Sequence, residues 1–160
     1  LDWTTNNNIP FLRQSVSTKP RYDVGFNTRV PNEWRIKEYP LLKWKELERL
    51  LVPEYTISWQ NEFNGELEEY IEWITKCSML VSVVGLGCHI AMFYSIPVIV
   101  LSGPTDFKDT KYYSNCDVVY PSSPCNYRPC YSKSGIECNG CMQFINPHQI
   151  FTQIKSLLPI

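Results

Sequence analysis

The chain has 160 residues, 44% hydrophobic and 14% aromatic against 19% charged, enough apolar surface for one domain with a buried core; disorder throughout, collagen, a pure coiled coil and a disulfide knot are excluded. Fifteen Lys and Arg oppose sixteen Asp and Glu for a formal charge of −1, so no broad basic field exists to neutralise a phosphate backbone and no nucleic-acid partner is expected. The longest apolar runs, Met79 to Val84 and Pro97 to Leu101, are too short to span a bilayer, and Leu1 to Asn8 has neither the basic flank nor the apolar stretch of a signal peptide, so the expectation is a soluble chain.

Residues 1–20, rich in Asn, Ser and Thr, have no periodicity and read as a linker or arm. From Arg21 onward short apolar runs alternate with amphipathic stretches, the pattern of βα units on a parallel sheet. Tyr22 to Phe26 predicts the first strand, with Asn27 and Thr28 at its tip. Pro40 opens a helix over Leu41 to Val52, where Trp44, Leu47 and Leu51 recur at helical spacing. Tyr55 to Trp59 predicts a second strand, and Leu67, Tyr70, Ile71 and Ile74 mark one stripe of a helix from about Gly65 to Cys77. Met79 to Val84 is apolar except for Ser82, as expected of a central strand covered on both faces. A short helix from Leu86 to Tyr94 and a buried strand from Val98 to Leu101 come next, and Val118 to Tyr120 predicts a last strand. The closing helix has Asn146 as N-cap and Pro147 at its first position, with Ile150, Phe151, Ile154, Leu157 and Leu158 along one face.

Seven cysteines are an odd count, which prevents complete intramolecular pairing. Cys125, Cys130, Cys138 and Cys141 crowd into a cysteine-rich loop, 121–142, with the spacing Cys-x4-Cys-x7-Cys-x2-Cys. The Cys138 to Cys141 knuckle is half of many zinc sites, whereas the other half is irregular. Structural zinc or iron, unpaired or redox-active thiols, and disulfides all remain open readings.

The stretch Gly85-Leu86-Gly87-Cys88-His89 lies between a buried strand and a helix start. Ligands of open α/β sheets settle beyond the carboxyl ends of the strands, and a helix N-terminus offers N–H groups and partial positive charge to an anion. Glycines there admit a phosphate to the backbone, and His89 can donate to a phosphate or sugar oxygen; alternatively the glycines serve packing and the histidine is satisfied internally. Lys37, in the loop after the first strand, is either a cation balancing a diphosphate at the same edge or a solvated surface charge. Asn27 and Thr28 either bind a ligand or cap the turn. Gln60, Asn61 and Glu62 follow the second strand, where a carboxylate commonly binds ribose hydroxyls, and Gly103-Pro104-Thr105-Asp106 adds another polar tip. With His89 and His148 the only histidines, no Ser-His-Asp or Cys-His arrangement is assembled, and Glu66, Glu68, Glu69 and Glu72 read as the exposed face of a helix.

The ordered set of these pieces resembles the carboxyl-terminal domain of the ADP-heptose:lipopolysaccharide heptosyltransferase family, glycosyltransferases of the GT-B architecture. The resemblance is carried by Ile36 to Pro40 followed by Lys43 to Leu47, by the helix before Met79 to Val84, and by His89-Ile90-Ala91, Ile96 to Val100 and Gly103 to Asp106. Cys125, Cys130, Cys138 and Cys141-Met142 with Ile145-Asn146-Pro147 complete the series. It implies an α/β fold with a Rossmann-like parallel sheet and flanking helices, one half of a GT-B architecture, with the donor-binding domain over 21–160. The donor substrate implied is a nucleotide diphosphate sugar, an ADP-sugar before others, with no organic cofactor.

Lys37 is then near the phosphates as a leaving-group stabiliser. The turn formed by Gly85, Leu86, Gly87 and His89 surrounds diphosphate and sugar, Glu62 is at the nucleoside, and Asn27, Thr28 and Thr105 line the same rim. A glycan or glycoprotein acceptor, a missing amino-terminal domain carrying the base, and a cytoplasmic setting at the inner face of the bacterial inner membrane, with peripheral association of the full protein, are implied with it. Where the family has Asp-Thr-Gly before its His-x-Ala, this chain has Val84-Gly85-Leu86, so the carboxylate expected to bind the sugar is absent. That departure motivates a second reading, a non-catalytic interaction or assembly module on the same scaffold with a metal-stabilised cysteine loop.

Overall fold

The computed structural model describes residues 19–60, 66–105, 113–126, 128–130 and 140–159. Five strands form one sheet: β1 (Tyr22–Asn27), β2 (Ile57–Trp59), β3 (Cys77–Val83), β4 (Val98–Leu101) and β5 (Cys116–Val119). Their order is β2-β1-β3-β4-β5 and every neighbouring pair is parallel. Among the described residues four α-helices connect and close the sheet: α1 (Leu41–Leu51), α2 (Leu67–Thr75), α3 (Leu86–Phe93) and α4 (Pro147–Leu157). This is the Rossmann-like α/β architecture, a parallel sheet with flanking helices, expected from the alternating pattern.

Alternation of side chains along the strands divides the core between the two faces. Val24 and Phe26 of β1 with Met79, Val81 and Val83 of β3 meet Trp44, Leu47 and Leu51 of α1 and Ile150 and Ile154 of α4. Leu80 of β3 and Val98 and Val100 of β4 meet Trp73 and Ile74 of α2 and Ile90 and Ala91 of α3 on the other face. Trp44 anchors the first face, edge-on to Tyr39 at 5.1 Å and tilted against Phe26 at 5.0 Å. The two-sided burial explains why β3 and β4 read as apolar runs rather than as alternating ones.

Several boundaries differ from the periodicity. The helix expected to reach Cys77 stops at Thr75, because Cys77 pairs with Tyr22 and is drawn into β3, while the Lys76 carbonyl accepts from the N–H groups of Arg21 and Tyr22. β2 loses Tyr55 and Thr56, and β5 begins at Cys116, in register with Val98. The loop after β1 contains a 3-10 segment, Asn32–Lys37, and a second one, Cys141–Phe144, precedes α4. At α4 the cap is as expected: the Asn146 side chain accepts from the His148 N–H at 3.0 Å and Pro147 opens the helix. No helix among the described residues is long and apolar enough to cross a membrane.

Candidate functional site

The sheet order fixes where a ligand can enter. From β1 the chain crosses over α1 to β2 on one side, and from β3 it crosses over α3 to β4 on the other, so the tips of β1 and β3 flank a crevice that no crossover fills. A cleft of about 530 Å³ lies there, lined by Asn27, Arg29, Val30, Pro31, Asn32, Tyr70, Val84, Gly85 and Leu86.

Its floor is a chain of hydrogen bonds. The Tyr70 hydroxyl of α2 donates to Asn27 Oδ1 at 2.7 Å, Asn27 Nδ2 donates to Ser82 Oγ at 2.7 Å, and Ser82 Oγ donates to the Val83 carbonyl at 2.7 Å. Asn27 and Ser82 are register partners on β1 and β3 and both are buried, so the bond satisfies polar groups that water does not reach. Burial pushes the Tyr70 hydroxyl well above the ordinary phenol range, against the lowering effect of its bond to Asn27, and it is a neutral donor at physiological pH. Asn27 is therefore committed to the floor of the cleft.

The two glycines of the turn have different neighbours. A Cβ on Gly87 would collide with the Tyr70 hydroxyl and the Asn27 carboxamide, so Gly87 is there for close packing of α3 on the floor. A Cβ on Gly85 would meet nothing within 4 Å. Gly85 is extended and serves as the N-cap of α3 without a side-chain cap, so the first N–H groups of that helix have no side-chain acceptor from their cap. Leu86 is 58% exposed at the cleft margin.

One wall is held by backbone contacts of the β2 tip. Gln60 donates its N–H to the Phe26 carbonyl, and its Oε1 accepts from the Arg29 N–H, each at 2.9 Å. Arg29 supplies a cation to the lining. Lys37 is not part of the lining; it is half-buried at the end of the 3-10 segment with its Nζ 4.5 Å from the Trp34 ring centroid. Burial lowers its pKa, while the Cys88 thiol in the first turn of α3 acts on it in the opposite sense. Lys37 and the α3 N-terminus thus share one edge of the sheet.

The remaining residues singled out from sequence are dispersed. Thr28 is half-buried beside the cleft, His89 is on the exposed side of α3, and Thr105 is at the β4 tip with its carbonyl accepting from the Ser102 hydroxyl. None of the three lines the cleft. Glu62 and Asp106 lie outside the described residues. Tyr70 and Arg29, which do line it, were not distinguished by sequence: Tyr70 reads as one more member of an apolar helical stripe, and its hydroxyl is the only hint of a polar task.

The cysteine loop departs from the metal-site expectation. Among the described residues no group of three or more His, Cys, Asp or Glu is assembled to hold a metal ion. Cys125, Cys130 and Cys141 therefore do not converge as ligands, and Cys138 lies outside the described residues. Cys141 is buried, and with Met142 it packs against Gly103, where a Cβ would lie 3.0 Å from the Cys141 sulfur. The Cys130 N–H donates to the Pro104 carbonyl at 2.7 Å. The described part of the loop is also tied to the second 3-10 segment, where the Ser122 N–H and hydroxyl both donate to the Phe144 carbonyl at 3.1 Å.

No family model matches the chain, and no curated protein matches it. Among solved structures it is similar to an ADP-heptose LPS heptosyltransferase II of E. coli, with a TM-score of 0.60 and 18% identity over 89% of this chain. The chain spans about half of that structure, 47% of its length. A likeness at this identity is one of fold alone, the parallel α/β sheet with its flanking helices.

Proposed function

We infer that this chain is the donor-binding, carboxyl-terminal half of a glycosyltransferase that moves a sugar from a nucleotide diphosphate to a glycan or glycoprotein acceptor. The observation that carries the reading is the cleft at the β1/β3 switch point, with the N-terminus of α3 and the open Gly85 position at its rim and Arg29 in its lining. An anion there would meet the N–H dipoles of the α3 N-terminus beside the Arg29 cation. The fold likeness to a heptosyltransferase of twice the span supports the same reading.

In the transfer, the bond between the anomeric carbon and the diphosphate oxygen breaks, and the acceptor oxygen forms the new bond as it gives up its proton to a base. Negative charge then develops on the departing diphosphate. Fixed N–H groups of the Gly85 to Gly87 turn, Arg29 and Lys37 would stabilise that charge, with Lys37 swinging from Trp34 toward the rim. The base and the acceptor site would come from an amino-terminal domain, at the cytoplasmic face of a bacterial inner membrane. Adenine nucleotides are the first candidates for the donor.

A specific observation supports a second reading. Val84 and Leu86 put aliphatic carbon in the lining, and no carboxylate is among the described lining residues, which suits a scaffold kept for interaction rather than turnover. Calorimetric titration with ADP, GDP and UDP and their sugars separates the two. Diphosphate-dependent binding by folded protein is expected, and its absence with all three nucleotides would favour the interaction module.

A further inference from the structure

Resting on the donor-cleft reading, we propose that Tyr70 is a positioning residue of the anion site: its hydroxyl holds the Asn27 carboxamide, the two together seat Gly87, and Gly87 sets the direction of the N–H groups in the first turn of α3. Tyr70 belongs to α2 and lines the cleft, with its hydroxyl bonded to Asn27 Oδ1 at 2.7 Å. A carboxamide has two unlike ends, and two bonds determine which end is where. Oδ1 accepts from Tyr70, and Nδ2 donates to Ser82 at 2.7 Å. Gly87 rests directly on that arrangement. A Cβ there would collide with the Tyr70 hydroxyl and with both Nδ2 and Cγ of Asn27, so the backbone of the turn touches the network with no side chain between. A second tie closes the turn, where the buried Cys88 thiol donates to the Gly85 carbonyl at 2.9 Å.

Tyr70 is itself held from behind. Its ring is stacked on Trp73, with centroids 6.1 Å apart and planes 8° from parallel, and Trp73 Nε1 donates to Ser58 Oγ of β2 at 2.9 Å. Through α2 the placement of an outer strand is thereby carried to the rim of the cleft. Close-packed interiors transmit such placement because few voids absorb a displacement. N–H groups already set toward an arriving anion need no reordering when it binds, and this preorganisation raises affinity. Without the hydroxyl, the Asn27 carboxamide can rotate about its remaining bond, and Gly87 loses its seat.

The test is nitrogen–proton correlation NMR of the whole chain during titration with ADP, or with GDP or UDP in its place, for the unaltered protein, Tyr70→Phe and Tyr55→Phe. Tyr55→Phe is a matched deletion: the Tyr55 hydroxyl donates to the Leu158 carbonyl at 2.8 Å, and the residue precedes β2, at the sheet edge opposite the cleft. Tyr70→Phe is expected to bind the nucleotide about threefold or more weakly than the unaltered protein, and the Leu86, Gly87 and Cys88 amides are expected to have moved before any nucleotide is added. Tyr55→Phe changes neither. Affinity of Tyr70→Phe equal to that of Tyr55→Phe, or weaker binding with unmoved α3 amides, overturns the proposal and leaves the donor cleft standing. If Tyr70→Phe does not fold, the unaltered protein decides. Coupling is reciprocal, so the nucleotide must shift the Asn27 carboxamide resonances with the same midpoint as the Gly87 amide, and an unmoved carboxamide overturns the proposal. Absence of binding with all three nucleotides overturns the donor-cleft reading itself.

Discussion

The Tyr70 hydroxyl of α2 donates to the Asn27 carboxamide at 2.7 Å, joining a helix to the tip of a strand 43 residues earlier in the chain at the floor of the cleft. Asn27 in turn reaches Ser82 on the neighbouring strand, so three elements are tied at the point where the sheet divides.

Tyr70→Phe removes one bond and leaves the buried Asn27 oxygen without that donor, at a cost of about 1–3 kcal/mol. Asn27→Ala removes both bonds and is expected to cost more. Urea denaturation of the two variants should rank them in that order; equal stability of both with the parent protein would contradict a structural role for the network.

Gly85 and Gly87 are expected to respond oppositely to the same methyl. Gly87→Ala drives a Cβ into the Tyr70 hydroxyl and the Asn27 carboxamide, overpacking that costs about 1–3 kcal/mol. Gly85→Ala meets nothing within 4 Å and keeps an extended backbone, so it preserves thermal stability and weakens nucleotide binding instead. Melting curves together with titrations distinguish the two, and a destabilised Gly85→Ala would refute the open-cleft geometry.

Lys37 is expected to matter for binding and hardly for folding. Its contact with the Trp34 ring is half-exposed and worth about 0.5–1 kcal/mol, whereas a charge-assisted bond to phosphate is worth about 1.5–3 kcal/mol. Lys37→Ala should therefore weaken nucleoside diphosphate affinity by about tenfold or more while the melting temperature moves little. Lys37→Arg restores part of the affinity. Unchanged affinity in the alanine variant would return Lys37 to the status of a surface charge.

Alkaline pH should destabilise the fold through the buried thiol of Cys77 and the half-buried thiol of Cys116. Burial pushes Cys77, and burial with the neighbouring Cys88 and Asp117 pushes Cys116, from an ordinary value of 9.0 up to about 12. The folded state thus holds these protons where the unfolded chain releases them, so the contribution is complete below pH 9 and is lost as pH rises toward 12. Melting temperatures measured from pH 8 upward should fall, and Cys77→Ala should fall less steeply than the parent protein. Parallel slopes would exclude Cys77 as a source of the effect.

Much of the scaffold was legible because apolar period and turn chemistry report burial directly. Val98 to Leu101 is a strand with the bounds its residues suggest, and Asn146 with Pro147 starts α4 as their capping chemistry requires. Pairing between distant segments was not legible, which is why Cys77 moved from helix to strand. The site was legible to the level of its edge only. Gly85 and Gly87 look alike as letters, and what separates them is Tyr70, brought in from another helix. The cysteine spacing left metal, unpaired thiols and disulfides open, because spacing carries no information about where the sulfurs point; among the described residues no metal-holding group is assembled, and Cys141 packs against Gly103.

The most direct test of the donor cleft is nitrogen–proton correlation NMR of the labelled chain during titration with ADP. Saturable shifts of the Gly85, Leu86 and Gly87 amides together with Arg29 are expected, on the rim formed by β1 and β3. Saturable shifts confined to other parts of the chain, or no shifts at millimolar nucleotide, would contradict the donor cleft.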